Sequence, residues 1–80
     1  MMFDFLDEVF KRLVEDKEIK FCLKSRPNRI IPFPLIFRRM GVLWHFSKED
    51  SIRILKELEK RKLIEIVNFH GIKIVQTQKS

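Results

Sequence analysis

Apolar residues return at intervals of three and four along most of the chain and change to alternation near its end. Phe3, Leu6, Val9, Phe10, Leu13 and Val14 share one side of a helix predicted over residues 4–16. Asp4 is available as its cap, and Asp7 and Glu8 fall in a first turn where carboxylates complement the helix dipole. Beyond residue 16 the pattern reads two ways. Ile19, Phe21 and Leu23 alternate as in a strand, whereas Leu13, Lys17 and Phe21 continue a helix, and the helical reading, ending near Leu23, is the one adopted. Ser25-Arg26-Pro27-Asn28-Arg29 is a turn cluster, because Pro27 fixes its own φ and disfavours helix at Arg26. Pro34 then suits the first turn of a second helix, where a missing amide proton costs nothing. Leu35, Ile36, Met40 and Leu43 give that helix its apolar side, and Trp44 is its furthest extent; Gly41 is either an interior glycine or the turn itself. Leu43, Trp44 and Phe46 are expected to pack beneath the element that follows.

That element starts at Ser47, whose hydroxyl can accept from a free amide of the first turn while Asp50, three residues on, reaches back. Ile52, Leu55 and Leu58, with Ile54 at the edge, set its buried side; Glu49, Arg53, Lys56, Glu57 and Lys60 point the other way. After Lys62 the period becomes that of strands, expected over residues 63–68 and 72–76. Asn68-Phe69-His70-Gly71 lies between them as a hairpin loop, with Gly71 free to take positive φ and Asn68 tolerant of it. The chain therefore reads as one domain over residues 1–80, an N-terminal helical part (1–24) followed by helix, helix and hairpin (34–76).

The phrase IRILKELEKRKLIEIV, residues 52–67, resembles the winged helix-turn-helix family, in particular small archaeal and bacterial transcriptional regulators. In these a helix ending in Leu-x-x-Leu-Glu runs into a Leu-Ile strand. Many members carry glycine where this chain has Lys62, so the helix end must be managed here without it. The resemblance covers about half of the chain and is shared by winged helices that bind only protein. It implies an α+β fold of three helices with a C-terminal β-hairpin wing, a short strand at Ile30 and Ile31 added to that hairpin, and a recognition helix over about residues 47–61. It also implies a homodimer using the N-terminal helix, with Met2, Phe3, Leu6 and Phe10 as the interface residues; the alternative is that these side chains only cap the core.

Charge favours the same half of the chain. Residues 1–20 carry six acids and four bases, and the remainder thirteen bases and five acids, so the basic excess lies on the part that resembles a DNA-binding module. Eighty residues suffice for one domain; a chain of that size buries only about 60% of its extended surface, and dimerisation would add to this. Abundant Ile, Lys and Glu with two Gly resembles the composition of thermophile proteins. With no long apolar run and no signal-peptide pattern, the expected location is cytoplasmic, with no membrane partner.

Candidate catalytic chemistry is thin. There is no Gly-rich phosphate loop, His-Glu-x-x-His pattern or nucleophile elbow, and no cofactor, small-molecule substrate or enzymatic activity is expected. A metal site would need His45, His70 and the single Cys22 to converge from three distant segments, so none is expected. Double-stranded DNA fits better. Lys48, Glu49, Ser51 and Arg53 occupy the amino-terminal half and outer face of the third helix, where a major-groove helix reads base edges. Arg53 is assigned two hydrogen bonds to a guanine, and Lys56, Lys60, Arg38 and Arg39 are assigned phosphates. Glu49 must pair with Arg53 or accept from a cytosine amine. The resemblance puts Phe69, His70 and Lys73 on a wing that lies along the backbone or enters the minor groove. The expected function is sequence-specific DNA binding by a transcriptional regulator; the alternative is a winged helix used for protein contact in a transcription or replication assembly.

Overall fold

The computed structural model describes residues 5–26 and 28–75. Among them run α1 (Phe5–Glu15), α2 (Lys17–Ser25), β1 (Ile30–Pro32), α3 (Phe33–Trp44), α4 (Lys48–Lys60), β2 (Ile64–Val67) and β3 (Gly71–Ile74). The fold is α+β, with four helices where three were expected. The difference lies at Asp16. Its backbone is extended (φ −64°, ψ 135°) and its carboxylate accepts from the amides of Glu18 and Ile19, so one helix ends and a second is capped within a single residue. Val9, Phe10 and Leu13 of α1, and Ile19 and Cys22 of α2, then reach the core from two directions.

The sheet is antiparallel with the order β1-β3-β2, so the strand that precedes α3 and α4 lies against the last strand. Ile31 pairs with Ile72, Ile66 with Ile72 and Ile64 with Ile74, which puts all five isoleucines on one face. Ile31, Ile64 and Ile72 on that face are buried and meet Ile36 and Met40 of α3 and Leu55 and Leu58 of α4 in one core. Ile30, Lys73 and Glu65 form a row across the opposite face.

α3 does extend to Trp44, where His45 in the left-handed region (φ 60°) ends it with its amide on the carbonyl of Gly41. Gly41 is therefore interior to the helix. Trp44 stacks on Phe46 with ring centroids 5.4 Å apart, and Phe5 meets Phe46 edge-on at 6.3 Å, fixing the α3–α4 connection against α1. Phe10, expected at a dimer interface, is only 3% exposed because it fills this chain's own core; Leu6 is partly buried, and Met2 and Phe3 lie outside the described residues. No helix among the described residues is long and apolar enough to cross a membrane.

Candidate nucleic-acid interface

α4 is held at both ends by its own residues. Ser47 Oγ accepts from the Asp50 amide at 3.1 Å, and the Asp50 carboxylate accepts from the Ser47 amide at 3.4 Å, the reciprocal cap read from the sequence. At the other end Lys62 takes φ 63°, and the amides of Leu63 and Lys62 donate to the carbonyls of Leu58 and Glu59 at 3.2 and 2.9 Å. This is the two-bond terminator usually built on glycine. Lys62 occupies the glycine position in the glycine conformation, at a cost of about 1 kcal/mol. Glu59 then accepts from the Ile66 amide at 3.0 Å and ties the helix end to β2.

The buried side of α4 is Ser51, Leu55 and Leu58, with Ile52 and Ile54 half-buried on its flanks. Ser51 is wholly buried and cannot touch DNA, which corrects its assignment to the base-reading face. It sits at the middle of the apolar arc, between Leu55 and Leu58. Its Oγ has no hydrogen-bond partner among the described residues. Ser51→Ala is therefore expected to stabilise the fold by about 1 kcal/mol, through removal of an unpaired hydroxyl and a gain in helix propensity, and to leave ligand binding unchanged. Thermal denaturation beside a binding curve checks both halves.

Diametrically opposite Ser51, within an arc of about 60° at 100° per residue, lie Glu49, Arg53, Lys56 and Lys60, all exposed. Arg53 and Lys56 have no ion pair among the described residues, and Lys60 reaches Glu57 at 3.5 Å in an exposed contact that costs little to exchange. Lys48, in the first turn, lies outside this arc on the side of α3, with its Nζ 5.7 Å from the ring centre of Phe37.

The hairpin loop is Asn68-Phe69-His70, and the His70 amide donates to Val67 at 3.0 Å. Gly71 takes a positive φ, as expected, at the start of β3 (158°), but the left-handed residue inside the loop is Phe69 (φ 66°) rather than Asn68. Positive φ at the third position of a turn normally selects Gly or Asn. Phe69 is also 98% exposed, so an aromatic ring stands at the tip in a conformation that disfavours it. The resemblance had put Phe69 on the wing with His70 and Lys73; what the sequence did not show is that Phe69 carries the left-handed backbone of the loop. His70 is exposed beside it, and Lys73 is exposed on the outer row opposite Glu65.

Arg38 and Arg39 are bound up with α2. Arg39 grips Asp16 with Nε and Nη2 at 3.0 and 2.8 Å and reaches Glu18 at 3.2 Å, with 17% of its side chain exposed. Its assignment to phosphate is corrected: the guanidinium closes the α1–α2 break onto α3. Arg38 pairs with Glu18 at 2.7 Å, with 60% of its side chain exposed, and borders a groove away from the α4 stripe.

Burial alone would push the Asp16 carboxyl up, but the Arg39 hydrogen bond, the Ile19 amide, the Arg39 charge and the Glu18 amide outweigh it and hold the pKa below the usual carboxylate range. In acid the unfolded chain therefore takes this proton first. The stabilisation is complete above about pH 4 to 5 and is lost as the pH falls through the lowered folded value. Asp16→Asn lacks this component, so denaturation at a series of pH values is expected to show the wild type more stable at neutrality and the gap narrowing in acid.

Among the described residues no three His, Cys, Asp or Glu side chains converge in a way that could hold a metal ion. No family model, curated protein or solved structure matches the chain.

Proposed function

We propose that this chain is a winged-helix protein that reads duplex DNA with α4 in the major groove and the β2–β3 hairpin as its wing. The observation that carries the reading is the α4 stripe: Arg53 and Lys56 without an ion pair among the described residues and Lys60 loosely paired, on a helix capped at both ends and backed by the core. The strand order β1-β3-β2, with α3 and α4 between the first and second strands, supports the same reading. So does the exposed, basic and aromatic hairpin tip. Arg53 reads a guanine, Lys56 and Lys60 neutralise phosphates with Lys48 of the first turn, Glu49 accepts from a cytosine amine, and His70 and Lys73 follow the backbone. The protein acts as a cytoplasmic homodimeric transcriptional regulator without catalytic activity, its two α4 helices about 34 Å apart on a palindromic site.

A random-sequence duplex is the simplest probe. With about four or five phosphates neutralised, affinity is expected to fall by about two to three orders of magnitude between roughly 50 and 200 mM salt, because each neutralised phosphate releases counterions. Absence of binding at the lower salt would remove this reading.

A further inference from the structure

A second surface, separate from the α4 stripe, is shaped for a ligand of different chemistry. α2, β1 and the start of α3 enclose an open groove of about 790 Å³, within the size range of binding clefts. Cys22, Pro32, Pro34 and Leu35 line it with apolar surface, and Phe21 stands at its edge with 72% of the residue exposed. The rim is cationic. Lys17 and Arg26 line the groove without an ion pair among the described residues, and Lys24 follows Phe21 by three positions on the same side of α2. Glu18, the one acidic residue among the described residues of the lining, is already bound by Arg38 and Arg39 at 2.7 and 3.2 Å.

We infer that this groove docks an acidic amphipathic helix of a partner protein. The apolar side of that helix lies over Cys22, Leu35 and the prolines, Phe21 packs against it as an anchor, and its carboxylates meet Lys17, Lys24 and Arg26. Charge complementarity selects an acidic partner over a second copy of this chain, whose own face here is basic, because like charges would oppose across such a contact. A single exposed ring offers no run of platforms for successive bases, whereas the floor of Cys22, Pro32, Pro34 and Leu35 suits the apolar side of a helix, so a peptide is selected over single-stranded nucleic acid.

The probe is a fluorescent synthetic helix of roughly 18 residues, five turns, with Leu and Phe at positions i, i+3, i+4 and i+7 and Glu or Asp elsewhere. It is set beside a control of equal charge with Ser at the apolar positions. The expected result is binding at least about tenfold tighter than the control, weakened about tenfold by Phe21→Ala and by Lys17→Glu with Arg26→Glu, and unaffected by Arg53→Ala with Lys56→Ala. Amide signals of α2, β1 and the start of α3 are expected to move on titration. Phe21 is exposed, so unchanged thermal stability of Phe21→Ala shows that the fold is intact. Equal binding of the control, movement confined to α4, stronger binding of a thymidine oligonucleotide at the same residues, or loss of self-association in Phe21→Ala would each overturn the proposal. None of these outcomes depends on whether α4 binds DNA.

Discussion

Gly71→Ala is expected to destabilise the fold by about 3 kcal/mol or more, whereas the other glycine of the chain tolerates the same change. Gly71 begins β3 opposite both Pro32 of β1 and Val67 of β2, at the point where three strands converge. A Cβ there would collide with the carbonyl oxygen of Ile31 and come within 2.7 Å of its carbon and 2.9 Å of Pro32 Cα. All three are backbone atoms and cannot rotate aside, so β1 must leave β3 or the hairpin must bend. The φ of 158° adds strain for any L side chain. A domain of this size has a total stability of only about 4–12 kcal/mol, so the thermal midpoint is expected to fall by about 12 °C or more. Gly41→Ala is the matched control: it lies inside α3, where a Cβ meets nothing closer than the Phe46 carbonyl oxygen at 3.8 Å. That change is expected to stabilise by about 0.5–1 kcal/mol.

Arg53→Ala with Lys56→Ala is expected to weaken binding to a cognate half-site by about 100-fold at low salt while leaving stability within about 0.5 kcal/mol of the wild type. Loss of a bidentate guanine contact accounts for about 1–3 kcal/mol and loss of a phosphate contact for most of the rest, and 1.4 kcal/mol is a factor of ten. Neither side chain supports the fold: both are exposed and neither has an ion pair among the described residues. The two substitutions separate by readout. Arg53→Ala relaxes the preference at one base position, whereas Lys56→Ala lowers affinity on every sequence and reduces the salt slope by about one. Competition between duplexes that differ at a single position distinguishes them.

Local signals carried α4 from residue types to three dimensions. Ser47 and Asp50 lie at the spacing of a reciprocal cap, and the leucines recur at the helical period, so both its start and its buried side were legible. Ser51 was misplaced for a physical reason: its polarity suggested solvent, although the same helical angles put it between Leu55 and Leu58. At Asp16 the periodicity of Leu13, Lys17 and Phe21 ran unbroken across a real break. What interrupts it is the Asp16 side-chain cap, a local signal that the unbroken periodicity outweighed, and the arginine 23 residues away that holds this carboxylate is a contact no local pattern reports. Arg39 was misread for the same reason, since an exposed basic residue and an ion-paired one look alike until the partner is known. In the hairpin the strands and their pairing followed from alternation, but Gly71 was taken as the turn residue when its role is to admit β1. The strain consequently falls on Phe69.

The most direct measurement is a titration of the isotope-labelled protein with a short duplex, followed by backbone amide signals. Movement concentrated in α4, above all from Glu49 to Lys60, and in the loop Asn68-Phe69-His70 is the expected result. The shifts should reverse on raising the salt, as counterion release requires. Signals that stay in place throughout α4, or that move only around α2 and β1, would contradict the assignment of the α4 stripe to DNA.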